Sequence, residues 1–280
     1  MTYLKFQELV LTHLILYKNN VLGITKNGIW KNNKKAYSHI LPEDLIDLNF
    51  LPMTKPITGL NMTQKINFHS GAHHLNSSQI MCINFFSPLL RDDEGLSILK
   101  TVLEKEINIK FDNGAYIQKA CFEYTPDSQE KTSFDFFVEM STGKKIFFEI
   151  KYTENRFGSI HIDQKNPSKY SDKWCNIYSS KIKSSLYLKG FSENDFYKNY
   201  QIWRNISYIV NNSDYVVFLF PFSNKVLTKE VNNTIGFPKS KRYPNVSAQD
   251  WSSFVKTALN LTKNTKYYFH FHLFYEKYFI

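Results

Sequence analysis

The sequence predicts an α/β fold, a mixed β-sheet flanked by helices. Three observations carry this. Residues 116–125 (YIQKACFEYT), 132–140 (TSFDFFVEM) and 144–153 (KKIFFEIKYT) are consecutive stretches rich in aromatic and β-branched residues, the composition of strands. Residues 214–220 (DYVVFLF) are a continuous apolar run closed by Pro221, the mark of a strand buried on both faces. Residues 4–17 and 195–210 have helical apolar spacing instead. The order helix, three strands, helix, strand then gives a mixed sheet with helical cover.

Taken in order, Leu4, Leu9, Leu11, Leu14 and Ile15 predict an amphipathic helix over 4–17. Residues 20–75 read as irregular, with turns near Gly28, Pro42, Pro52 and Pro56. Ser77 can cap a helix running to Phe86. Ser87-Pro88 is expected to start the next, carried on by Leu96, Leu99, Leu103 and Ile107. After the strand at 214–220 a short helix is expected to begin near Ala248-Gln249-Asp250. The tail KYYFHFHLFYEKYF reads as strand or helix, and as a strand it would put His270 and His272 on one face. Two regions are expected: an N-terminal helical and irregular segment, 1–75, packed on the core or helping to grip a ligand, and a principal domain, 76–280.

The chain has 280 residues and a formal net charge of +10, with 42% hydrophobic and 21% charged residues, so it has the composition of a folded protein with a field that favours a polyanion. Nucleic acid is the commonest such partner. A membrane surface is the weaker rival, since there is no run of 18 apolar residues and no basic amphipathic anchor. Cys82, Cys121 and Cys175 form neither a CxxC pair nor an even disulfide framework, and the N-terminus lacks a secretory pattern, so a reducing cytoplasm is expected. No phosphate loop, nucleophile elbow or dinucleotide fingerprint is present.

The chemistry concentrates in the two middle strands. Glu149 and Lys151 stand two apart and so share one face of a strand. Asp135 lies on the preceding strand, and Phe134, Phe136, Phe147, Phe148 and Ile150 surround these charges. Charges in such apolar strands are expensive unless paired or bound to an ion. The hairpin sets a test. A two-residue turn at Thr142-Gly143 would put Asp135 opposite Ile150, whereas a three-residue loop, Ser141-Thr142-Gly143, puts it opposite Glu149. Glycine third in the loop suits the left-handed residue of the longer type. Two carboxylates and a lysine on one surface are what phosphodiester hydrolysis with a hard cation requires.

SFD(135), FFE(149), IK(151) and YTE together resemble the PD-(D/E)XK nuclease signature, with Phe134 where that signature has its proline. The order of elements is also similar, implying a restriction-endonuclease-like fold. Segments 28–42, 74–79, 149–158 and 200–205 resemble a group of bacterial restriction endonucleases. The resemblance implies Mg²⁺, replaceable by Mn²⁺, held by Asp135 and Glu149 with the Ile150 carbonyl as a further oxygen. Lys151 would orient or activate water. Glu123 or Glu94 would supply another carboxylate. Gln201 resembles a second-helix glutamine near the site in some branches, and with Arg204, Asn205 and Tyr208 it forms a polar stripe at helical spacing.

Duplex DNA is the expected partner, with a homodimer as a further option. Candidate contacts are Lys165, Lys169 and Lys173 in the lysine-rich segment 161–198, Arg204, and Lys239, Lys241 and Arg242 in a basic loop. Tyr170, Trp174 and Tyr178 interleave with the lysines, as in a nucleic-acid surface, although a solvated loop would look similar. Glu154 reads as a metal ligand or a solvated strand end. His69, His73 and His74 read as surface histidines before zinc ligands. The implied reaction is hydrolysis of DNA phosphodiester bonds in restriction of foreign DNA. The alternatives are a repair or recombination nuclease of the same fold and a catalytically silent DNA-binding module.

Overall fold

The computed structural model describes residues 2–54, 66–160, 169–236 and 242–280. Helix α1 (Tyr3–Leu16) is capped by the Thr2 side chain and continues as a π-turn, Tyr17–Val21. Two short strands, β1 (Gly28–Ile29) and β2 (Ala36–Tyr37), then pair as a hairpin. Helix α2 (Ser78–Phe86) starts at Ser77, whose hydroxyl accepts the Ile80 N–H. Ser87-Pro88 does not open a long helix. It forms a 3₁₀ turn to Leu90, and α3 (Asp93–Ile107) begins afresh with Asp92 as its cap.

The main sheet has five strands in the order β3 (Ile117–Tyr124), β4 (Phe134–Met140), β5 (Lys145–Ile150), β6 (Asp214–Phe220) and β7 (Val246–Asp250). The first three pair antiparallel, and β6 and β7 add in parallel. Helices α4 (Lys169–Lys173), α5 (Ser179–Ser184), α6 (Glu193–Lys198) and α7 (Tyr200–Ile206) lie between β5 and β6. Helix α8 (Lys225–Ile235), unmarked in the sequence reading, makes the crossover to β7. Strand β7, unmarked in the sequence, runs to Asp250, and the helix expected near Ala248-Gln249-Asp250 follows it as α9 (Trp251–Thr262), with Asp250 at its N-cap. The aromatic tail is α10 (Tyr268–Tyr278), so His270 and His272 share no strand face. His270 is buried with Nε2 on the Asn84 carbonyl, while His272 packs beside Tyr268 at the surface.

Alternation along the strands sorts two cores. Phe136, Val138, Ile146, Phe148, Ile150, Val217 and Leu219 face α2, α3, α9, α10 and the N-terminal segment. Phe6, Leu14, Leu41 and Phe50 of that segment belong to this core. Phe137, Phe147, Val216, Phe218 and Phe220 face the helices between β5 and β6, and α8. Strand β6 feeds both cores, which is why it reads as continuously apolar.

Candidate active site

The hairpin between β4 and β5 has the longer loop. Met140 N–H donates to the Lys144 carbonyl at 2.9 Å, and Gly143 holds φ +81°, a value that favours glycine. The pairs Glu139↔Lys145 through Phe136↔Phe148 set a register that brings Asp135 opposite Glu149. On the other side, Phe122↔Phe136 and Tyr124↔Phe134 bring Glu123 opposite Asp135. Glu123, Asp135 and Glu149 therefore form a row across three adjacent strands. Alternation slips at its first two members: Phe122 and Phe136 enter one core, whereas Tyr124 and Phe134 pack with the other. Glu123 carries φ +51°, uncommon for a residue with a side chain, and that kink accompanies the slip.

At Asp135 the β4–β5 ladder ends. Its Oδ2 accepts the Ile150 N–H at 2.6 Å, taking over a backbone donor at the parting of the strands. Burial pushes the Asp135 carboxyl well above the ordinary carboxylate range, and the charges of Glu149 and Glu123 push the same way against Lys151. Glu123 is also raised, by burial first, with Gln79 and His69 opposing. Gln79 Nε2 donates to it at 2.7 Å and His69 Nε2 lies 3.8 Å away.

Glu149 is the most elaborately held of the three. Oε1 accepts from Lys151 Nζ at 2.8 Å and from Gln201 Nε2 at 2.5 Å. Oε2 accepts from Asn205 Nδ2 at 2.9 Å and from Arg204 Nη2 at 3.4 Å. The stripe on α7 is thus a clamp on Glu149, made of Gln201, Arg204 and Asn205, while Tyr208 turns to Glu130. Burial lowers the affinity of Lys151 for its proton, but Glu149, Glu154 and Asp135 outweigh that and hold it firmly charged. The Trp251 indole donates to the Lys151 carbonyl at 3.3 Å and fixes the backbone there.

Several expectations need correction. Arg204 is not a surface phosphate contact: it is 1% exposed, pairs with Glu149 and lies over the Phe134 ring. Glu94 sits at the exposed start of α3 near Lys266, so of the two carboxylates weighed, only Glu123 joins the row. Glu154 is neither a free ligand nor a solvated end: its oxygens accept the Ser78 hydroxyl and the Tyr152 N–H, both at 2.6 Å. His73 is buried with Nε2 on the Ile29 carbonyl, and His74 packs among His39, His73 and Trp30, whereas His69 is exposed. Among the described residues no three His, Cys, Asp or Glu side chains gather as a ready metal cage.

The aromatic residues of segment 161–198 are core residues. Tyr178 is fully buried, and Tyr170 and Trp174 pack against it and its neighbours. Tyr178 reaches Glu130, which is 1% exposed and accepts from Tyr178 at 3.0 Å, Lys181 at 2.5 Å and Tyr208. Lys173 donates to the Glu130 carbonyl at 3.2 Å. Lys169 begins α4, Arg242 lies exposed over the Tyr243 ring, and Lys165, Lys239 and Lys241 lie outside the described residues. The Glu130 network escaped the sequence reading because its members are scattered from Asp127 to Tyr208 without a local pattern. Asn205 carried a signal, its spacing from Gln201.

No curated protein and no solved structure matches the chain. A family model described as "Restriction Endonuclease associating with ARP" matches residues 12–279, nearly the whole length. With its five-stranded mixed sheet flanked by helices, the chain belongs to this family of restriction endonucleases.

Proposed function

We infer that the protein is a metal-dependent endonuclease of the PD-(D/E)XK type, hydrolysing DNA phosphodiester bonds in the restriction of foreign DNA. The observation that carries this is the row Glu123, Asp135 and Glu149 across β3, β4 and β5, with Lys151 two residues beyond Glu149 and paired to it. The donor set suits a hard divalent cation, since it is all carboxylate and carbonyl oxygen. Burial first, and then repulsion from Glu149, raises the Asp135 and Glu123 carboxyls, and a cation would offset both.

Asp135, Glu149 and Glu123, with the Ile150 carbonyl, would hold Mg²⁺, and Mn²⁺ would substitute. The ion supplies positive charge for the phosphate and a lowered pKa for attacking water. The remaining chemistry belongs to the chain. Lys151, already charged, orients the nucleophile and offsets phosphate charge. Gln201, Arg204 and Asn205 hold the Glu149 carboxylate so that it can release a neighbouring donor without swinging away. Trp251 keeps the Lys151 backbone in place.

The test is digestion of methylated and unmethylated plasmid with Mg²⁺, Mn²⁺ or chelator, with cut ends mapped. Cleavage that requires the metal and leaves defined ends supports the reading. Intact plasmid under every metal condition, with DNA still bound, would favour a silent binding module.

A further inference from the structure

We propose that the β1–β2 hairpin is a duplex-DNA grip that leads the phosphate backbone into the acidic row. This rests on the nuclease reading and names the surface that reading lacks. Between Glu8 and Glu43 the chain has no acidic residue, and its lysines are 18, 26, 31, 34 and 35. Lys18 is buried and turned to the Lys26 carbonyl and Asn27. The other four are exposed, three of them at the hairpin tip. Among the described residues, Lys31 alone of these four has an acidic partner, Glu43 at 2.5 Å, and both side chains remain largely solvated.

The tip is rigidly made. Trp30 N–H donates to the Lys35 carbonyl at 2.9 Å, Lys34 N–H donates to the Trp30 carbonyl at 2.8 Å, and Lys34 takes φ +58°. Asn33 bridges to the Tyr37 hydroxyl at 2.7 Å and accepts the Lys35 N–H at 3.0 Å. Ile29 is 58% and Trp30 37% exposed, so apolar surface stands beside the lysines. A basic tip with an exposed indole and side-chain amide suits a nucleic-acid backbone and sugar edge.

The hairpin connects with the site. Trp30 packs edge-on against His74, 6.1 Å between ring centres, and Leu41 N–H donates to the His73 carbonyl. His74 lines an open polar groove of about 530 Å³ whose walls include His69, Asn76, Gln79, Glu154 and Arg156. Gln79 and His69 are the neighbours of Glu123, and Asn76 is tied to Thr153, two residues past Lys151. A strand held by the hairpin thus has a polar path to the acidic row. The DNA surface moves from the lysine-rich segment, whose aromatics are core, to the hairpin.

The test measures binding of a short labelled duplex in chelator across a salt series, with cleavage read separately in Mg²⁺ and Mn²⁺. Lys34→Glu/Lys35→Glu should flatten the slope of log affinity on log salt by about 1.8 or more, which corresponds to roughly 60-fold weaker binding near 0.1 M salt. Trp30→Ala should weaken binding at all salt concentrations without changing the slope. Lys105→Glu/Lys256→Glu, exposed on α3 and α9, makes the same charge change away from the hairpin and should bind nearly as the parent does. Circular dichroism confirms that each variant is folded. Hairpin variants that bind with parental affinity and slope while cleavage persists overturn the grip and leave the nuclease reading standing. Hairpin-dependent binding with no cleavage under either metal supports the grip and overturns the nuclease. Absence of duplex binding, or preference for RNA, overturns the grip.

Discussion

Glu149 and Asp135 face each other across one ladder, yet their removal should have opposite effects on stability. Glu149→Gln deletes a charge that serves Lys151 and Arg204 together, and Arg204 is 1% exposed. The amide also turns a donor toward one pair of donors, whichever way it rotates. Breaking a buried pair by removing one partner costs about 3–5 kcal/mol, because the surviving charge stays buried. At roughly 2–4 °C per kcal/mol, the midpoint of thermal unfolding should fall by about 6–20 °C. Asp135→Asn should behave otherwise. Burial and the charges of Glu149 and Glu123 already disfavour the ionised carboxyl, and an amide oxygen still accepts the Ile150 N–H. Its midpoint should equal or exceed the parent's. Thermal unfolding by circular dichroism near neutral pH in chelator reads both. A Glu149→Gln protein as stable as the parent, or an equal loss in Asp135→Asn, would refute the clamp.

Three further outcomes follow from other residues. Gln201→Ala removes one donor from Glu149 and should slow cleavage about 10–100-fold while metal-free DNA affinity holds; an unchanged rate would show that Gln201 positions nothing. Glu130→Ala leaves Tyr178, Tyr208 and Lys181 without their shared acceptor, although Asp127 still pairs with Lys181 at 2.8 Å. Its cost should be about 2–4 kcal/mol in urea unfolding, and an unshifted midpoint would contradict a structural role. Burial lowers the His270 pKa from 6.5 to about 4, so between these values the unfolded chain binds more protons than the folded one. Stability is then full above about pH 6.5 and declines as pH falls toward 4, by about 3 kcal/mol from this group. His270→Leu should flatten that part of the stability profile, and an identical slope in both proteins would remove His270 as the cause.

The sheet was legible in the sequence for a physical reason. Strands β3 to β6 carry their pattern locally, in aromatic and β-branched runs, and the Gly143 loop sets the register that aligns Asp135 with Glu149. The elements missed or left open have weak local signals. Val246–Asp250 pairs with β6 through its backbone although its composition is polar, and α10 is helical despite aromatic residues that suit strands equally. Glu149, Lys151 and the α7 stripe were visible as spacing, but spacing does not say which way a stripe points. Arg204 looked like a surface cation because arginine usually is one; packing over the Phe134 ring and against Glu149 decided otherwise. Tyr170, Trp174 and Tyr178 failed similarly, since aromatics among lysines serve a core as readily as a DNA surface. Asn76, Gln79 and His69 reach the site only through tertiary contacts, which no window of sequence contains.

The central claim is that Asp135, Glu149 and Lys151 perform chemistry on DNA, and cleavage by single variants compared with metal-free binding tests it most directly. Asp135→Asn, whose fold should survive, and Lys151→Ala should each lose a factor of about 10³ or more in Mg²⁺-dependent cleavage, about 4 kcal/mol of barrier. Without metal, Asp135→Asn should bind duplex DNA as well as the parent or more tightly, since the amide can carry no negative charge into the phosphate path, and Lys151→Ala should bind modestly less well. Folded Asp135→Asn and Lys151→Ala proteins that cut DNA at the parental rate would place the nuclease centre elsewhere.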